Sequence, residues 1–134
     1  MSDRRYVFDT NVLVSAALLE NSVPGRALEK GRTSGTLLVS DETVNEVVAV
    51  LAHPKFEKYI DVDDRERFLK ALISEAEHVA ITGQIQACRD PRDDKFLELA
   101  TSGKASHIIS GDEDLLVLSP FHEIPIVTPA AFLN

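Results

Sequence analysis

Five short runs of β-branched and aliphatic residues punctuate the chain: Tyr6-Val7-Phe8, Thr36 to Val39, His78 to Ile81, His107 to Ile109 and Pro125 to Val127. Their apolar residues are largely continuous rather than alternating. A strand of that kind needs cover on both faces, and the economical way to supply it is a parallel sheet between two layers of helix. The segments between the runs have the helical period, as in Val44, Val47, Val48, Leu51 and Ala52, which follow an i, i+3, i+4, i+7, i+8 pattern. The predicted class is therefore α/β: a three-layer α/β/α sandwich around a central, mostly parallel sheet of about five strands. A length of 134 residues with no repeat and no linker suits one core, and residues 1–134 are read as one domain. Punctuation agrees with this division. Pro24-Gly25 precedes a helix, His53-Pro54 closes one, Asp61 to Asp64 supply a cap, and Pro91 stands at a first helical turn.

Several function classes are disfavoured at once. The longest strongly apolar stretch, Val12 to Leu19, is less than half of the roughly 20 residues a bilayer span requires. The N-terminal Met-Ser-Asp-Arg-Arg-Tyr lacks the apolar segment of a signal peptide, so a cytoplasmic protein is expected. Cys88 is the single cysteine and is read as packing. His53, His78, His107 and His122 form no pair with metal-ligand spacing, which argues against zinc. Gly31 and Gly35 lack the spacing and the following Lys-Ser or Lys-Thr of a phosphate loop. The net charge of -8 disfavours nucleic-acid binding through overall positive charge, although carboxylates gathered around a cation would count as negative in that sum.

In open parallel sheets, ligands bind beyond the carboxyl ends of the strands, where strand order reverses. Acids stand there after three of the runs: Asp9, then Asp41-Glu42 behind Ser40, then Asp112 behind Ser110-Gly111. Asp9 and Asp112 are also in position to cap the helices that follow, and a cap and a ligand role are compatible. Asp114 competes with Asp112 for the inward position, and Asp112 is preferred because it is nearer the strand end. Asp93 falls three, four and seven residues before Phe96, Leu97 and Ala100, which puts it on the inward stripe of its helix. Asp94, turned by about 100°, is its close competitor and suits the helix dipole. Asp90, before Pro91, reads as a turn residue. Glu46 lies roughly opposite the stripe of its helix, yet Ala49 and Val50 make that helix apolar nearly all round, so periodicity leaves its orientation open.

Taken in order, these segments resemble the PIN domain family. The resemblance rests on Val7-Phe8-Asp9-Thr10-Asn11-Val12-Leu13, on Glu46 followed by Val47 to Leu51 and Pro54-Lys55-Phe56, on Asp90-Pro91-Arg92-Asp93-Asp94-Lys95-Phe96-Leu97, and on Ile108-Ile109-Ser110-Gly111-Asp112-Glu113-Asp114-Leu115-Leu116. It covers nearly the whole chain, and it is nearest to the bacterial and archaeal subgroup described as toxin components of toxin-antitoxin systems. It implies an acidic pocket of Asp9, Glu46, Asp93 and Asp112 that holds Mg²⁺ or Mn²⁺ and cleaves RNA, with Asp114 or Asp94 in support. Asn11, Thr10 and Ser110 match polar positions that orient the acids or the attacking water. A cytoplasmic RNA substrate, a protein antitoxin and a homodimer or higher oligomer are the partners it implies.

Arg26, Lys30, Arg32, Arg89, Arg92 and Lys95 are candidates for contact with RNA, although ordinary solvated charge, which covers most helical surfaces, is the favoured explanation. Apolar contacts for self-association are available in Phe56 to Ile60 or in the Phe68-Leu69, Leu72-Ile73 helix. Two rival readings are a haloacid-dehalogenase-like phosphatase and a PIN-like binding module without catalysis. The first needs an acid two positions after its aspartate nucleophile, where this chain has Asn11, which cannot protonate a leaving group. The second would be favoured by a broken acidic set, and the set is complete.

Overall fold

The computed structural model describes residues 3–134. Its elements run β1 (Arg5–Phe8), α1 (Thr10–Leu18), α2 (Val23–Ser34), β2 (Thr36–Val39), α3 (Asp41–Leu51), α4 (Val62–Glu75), β3 (Glu77–His78), α5 (Asp94–Ser102), β4 (His107–Ile109), α6 (Glu113–Leu116), β5 (Ile126–Val127) and α7 (Pro129–Leu133). Single 3₁₀ turns occupy Pro54–Phe56 and Pro91–Asp93. The five strands are all parallel, in the order β3-β2-β1-β4-β5. The chain thus builds outward from β1 through β2 to β3, then returns to the other side of β1 for β4 and β5. Strand order reverses between β1 and β4, and their carboxyl ends frame the crevice where a ligand of such a sheet belongs.

Side-chain alternation explains why the strands are apolar throughout. Tyr6, Phe8, Leu37 and Ile109 face one layer of helices together with Val12, Leu13, Leu28, Val47, Leu51 and Phe132. Val7, Leu38 and Ile108 point the other way, onto Phe96, Leu97, Ala100 and Leu115. With successive residues on opposite faces, a strand covered on both sides has no polar position to spare.

The third strand is shorter and earlier than the sequence predicts. It covers Glu77–His78 rather than His78 to Ile81, because β2 gives it two partners, Leu38 and Val39, before Ser40 caps α3. After Val79 donates to the Val39 carbonyl (2.8 Å), the following backbone turns to α5. Asp94, Glu98 and Ser102, spaced four apart along one face of α5, accept the N–H groups of Cys88 (2.8 Å), Ile85 (3.0 Å) and Thr82 (3.0 Å). Side-chain oxygens therefore satisfy amides that a longer strand would have paired. Cys88 belongs to this strap, and burial and the Asp94 carboxylate push its thiol up to about 12, as suits a packing residue.

Three smaller expectations change. Pro24 and Gly25 lie inside the first turn of α2, behind the Ser22 cap, rather than before the helix. Within the α3 stripe, Val47 and Leu51 are buried but Val48 and Ala52 are exposed. Of the two apolar segments available for self-association, Leu69 and Leu72 belong to the core, Phe56, Ile60, Phe68 and Ile73 are partly buried, and Tyr59 is exposed.

Gly31 sets how closely α2 approaches the sheet. A Cβ there would lie 2.8 Å from two ring carbons of Phe8, too close for ordinary packing. Gly31→Ala is expected to destabilise the fold by about 1–3 kcal/mol in urea denaturation. Gly83→Ala, which meets no heavy atom within 4 Å, is expected to be neutral or slightly stabilising.

Candidate active site

Asp9 follows the last residue of β1 and is 4% exposed. One carboxylate oxygen accepts the Val12 amide of α1 (2.9 Å), so the cap expected from sequence is present. The other oxygen accepts the hydroxyl of Ser110, a fully buried residue just past β4. The same Ser110 Oγ accepts the backbone N–H of Asp112 (2.9 Å), which in turn caps α6 through the Asp114 amide (2.9 Å). A chain of hydrogen bonds therefore joins the ends of β1 and β4 across the switch point. Burial raises the Asp9 pKa, the bonds from Ser110 and Val12 oppose that rise, and the charge of Asp112 adds to it.

Asp93 enters from the other side, at the end of the Pro91–Asp93 turn, and makes no side-chain cap. Oxygens of Asp93, Asp112 and Asp114 lie within 4.8 Å of one another, and all three residues are half-buried. Desolvation and the neighbouring Asp112 charge push the Asp93 carboxyl up to about 6, while Lys95 pulls against them. Asp114 also meets the Nε of the exposed Arg89 at 3.3 Å.

The helical-wheel assignment of the adjacent acids is corrected here. Asp94, not Asp93, is the buried one, and it holds the strap by accepting the Ala87 and Cys88 amides. Burial opposes its ionisation, but those two amides prevail and lower its pKa. The phase counted from Asp93 fails because α5 begins at Asp94; Asp93 still belongs to the 3₁₀ turn. Asp93 therefore sits in the cleft without lying on the helix stripe.

Glu46 also faces the cleft. α3 packs against both α1 and α5, and Glu46 finds a partner on each of them, while Glu42 and Ala49 on the same side of α3 stay exposed. Glu46 Oε1 accepts the Thr10 hydroxyl and Oε2 accepts Lys95 Nζ at 2.6 Å. Asp9 and Glu46 are outside the group of three acids defined by the 4.8 Å criterion. Asn11 is exposed in the first turn of α1.

Lys95 is the residue that sequence reasoning misjudged. The sequence offers it as a candidate for contact with RNA or as ordinary surface charge, yet it is buried, and its ammonium also donates to the Arg92 carbonyl. The available signal was its place in Asp93-Asp94-Lys95-Phe96-Leu97, at the start of a helix apolar enough to be covered on most sides. Of the other cations, Arg92 pairs with Asp90 (2.9 Å), Lys30 donates to the Phe132 carbonyl (2.5 Å), Arg32 pairs with Glu75 (2.8 Å), and Arg26 is exposed.

The fold and this cluster define a PIN domain: that family's profile matches residues 5–114, and the chain belongs to the family. A curated relative, the uncharacterized protein MJ1680 of Methanocaldococcus jannaschii, is 32% identical over 123 residues, covering 85% of this chain and 74% of that protein. Among solved structures, PAE2754 from Pyrobaculum aerophilum aligns at TM-score 0.63 and 17% identity, covering 97% of this chain and 88% of that one. VapBC2 from Rickettsia felis, bound to a DNA fragment from its promoter, aligns at TM-score 0.62 and 13% identity over 92% of this chain and 98% of that one. Mycobacterium tuberculosis VapC20, a sarcin-ricin loop cleaving toxin, aligns at TM-score 0.55 and 12% identity over 90% and 98%. Among the described residues, no helix is long and apolar enough to cross a membrane.

The raised Asp93 pKa fixes the sign of a pH effect. An acid whose folded-state value lies above its unfolded one penalises the native state once ionised, so stability falls as pH rises from the ordinary 3.8 through about 6. In the absence of metal, Asp93→Asn is expected to melt at higher temperature than wild type near pH 7. Thermal melts should lose that difference below about pH 4.

Proposed function

We propose that this protein is a divalent-metal-dependent endoribonuclease and the toxin component of a toxin-antitoxin system. The observation that carries the reading is the convergence of Asp93, Asp112 and Asp114 at the switch point of a PIN fold. Three half-buried carboxylates at that separation repel one another, and a cation between them relieves the repulsion. The set is all oxygen, without histidine or cysteine, which suits Mg²⁺ or Mn²⁺ rather than zinc. The reading is also supported by the likeness to VapC20, a sarcin-ricin loop cleaving toxin, and to VapBC2.

In this reading Asp93 and Asp112 hold the ion, and Asp114 supports them. When bound, a divalent ion there lowers the pKa of water toward neutrality and offsets charge on the phosphate being cleaved. The chain's own groups fix the frame. Asp9 orients Ser110, whose oxygen anchors the Asp112 amide. Glu46, held by Thr10 and Lys95, forms the facing wall of the acidic pocket. Asn11, exposed at the start of α1, has in this reading the role of touching the substrate or the attacking water. Arg89 and Arg92, exposed beside Asp93, are the cations available to RNA phosphates. The protein works in the cytoplasm, is restrained by a protein antitoxin, and self-associates as a homodimer or higher oligomer.

The test is cleavage of a mixed, 5′-labelled RNA pool. Wild type is expected to cut with Mn²⁺ or Mg²⁺ and to stop in EDTA. Asp93→Asn should lose about 100-fold or more, as expected for a metal ligand. Asp63→Asn, on the exposed face of α4, should cut like wild type. Cutting in EDTA, or a fully active Asp93→Asn, would contradict the mechanism.

A further inference from the structure

The strap that leads from β3 to α5 borders a groove of about 610 Å³, a size that suits a small ligand or one residue of a polymer. Glu42 reaches it from α3, Ile81, Gln84 and Gln86 from the strap, and Lys95 and Glu98 from α5. The groove adjoins the acidic cleft. Its lining includes Pro91, in the turn that ends at Asp93, and Lys95, whose ammonium holds Glu46 at 2.6 Å. Glu42 itself precedes Glu46 by about one turn of α3. An RNA strand with its scissile phosphate beside Asp93 therefore has a neighbouring nucleotide within reach of this groove.

The lining selects what enters. Three carboxylates, of Glu42, Asp94 and Glu98, stand against one ammonium, and that ammonium is buried and paired with Glu46. Such a lining repels phosphate, for which Arg89 and Arg92 are exposed where the strap meets the turn. It suits an uncharged ring with hydrogen-bonding edges. Asp94 and Glu98 fix the strap by accepting its amides, whereas Glu42, Gln84 and Gln86 are exposed, and among the described residues their side chains make no hydrogen bond. A carboxylate accepts two N–H bonds side by side, and a primary amide supplies a donor. Of the four RNA bases, only guanine sets two adjacent donors, N1–H and N2–H, beside an acceptor, O6, on one edge. Adenine and cytosine offer one amino group there, and uracil one ring N–H. Ile81, an apolar residue 40% exposed on the strap, supplies a surface for the face of the ring.

We propose that this groove is a base-reading subsite for guanine in single-stranded RNA: Glu42 accepts N1–H and N2–H, and the amide of Gln84 or Gln86 donates to O6. Unpaired bases are read along this edge, which a duplex would hide. The inference rests on the ribonuclease reading above and adds which sequence is cut, at a fixed offset from a guanosine.

The test begins by sequencing the ends that the full chain produces with Mn²⁺ from a randomised RNA pool. Kinetics then follow on one oligonucleotide with guanosine or inosine at the selected position; inosine keeps N1–H and O6 and lacks the 2-amino group. Wild type is expected to prefer guanosine at one position beside the cut, and to lose about 5-fold or more in kcat/KM with inosine. Glu42→Ala should cleave the two RNAs at equal rates, with a thermal melt like that of wild type. Glu66→Ala, exposed on α4, should keep the wild-type ratio. Cleavage by wild type without preference for guanosine beside the cut, or a guanosine-to-inosine ratio that survives in Glu42→Ala, would overturn the inference and leave the nuclease reading intact. A wild type that cuts no RNA with either metal would overturn both.

Discussion

The contact between Asp9 and Ser110 is the tie on which the rest of the site depends. Neither side chain has water to fall back on, with Asp9 4% exposed and Ser110 fully buried. A hydrogen bond to an ionised carboxylate in such a place is worth about 1.5–3 kcal/mol. It closes the gap between β1 and β4, where the order of the sheet reverses. Through the Ser110 oxygen it also fixes the Asp112 amide, hence the first turn of α6 and the position of Asp114. The helix cap at Asp9 and the geometry of the acids are one arrangement, not two.

Against that tie stands like-charge repulsion. Burial and the charge of Asp112 raise both Asp9 and Asp93, so ionising these acids opposes folding when only protons are available to neutralise them. Helices cover both faces of a sheet whose central strands are buried throughout, and α5 carries two functions on different sides. One side packs Phe96, Leu97 and Ala100 on the sheet; another, through Asp94, Glu98 and Ser102, holds the strap that leads into the turn bearing Asp93. Lys95, at the first turn of the same helix, secures the opposite wall.

β1, β2, β4 and the edge strand β5 are legible in sequence to within a residue at each end. The three inner strands announce themselves through the consecutive buried apolar residues that follow Arg5, Thr36 and His107, whereas β3, an edge strand of two exposed residues, carries no such signal. Asp9 and Asp112 were legible because a strand end followed by a cap is a local pattern. Asp93 was selected over Asp94 on a helical phase that does not apply, since a 3₁₀ turn intervenes and the buried acid is Asp94. Glu46 was undecidable from one helix, because its surroundings are supplied by α1 and α5. Lys95 was hidden for the same reason: its burial depends on a partner forty-nine positions earlier in the chain.

The central claim is that a divalent ion is held where the ends of β1 and β4 meet the Asp93 turn. Its most direct test is paramagnetic broadening of assigned backbone amides by substoichiometric Mn²⁺. The account predicts that the amides of Asp93, Gly111 and Asp112 broaden first, with those of α4 unaffected. Broadening centred on the exposed acids Asp61, Asp63 and Asp64, with Asp93 and Asp112 unchanged, would contradict it.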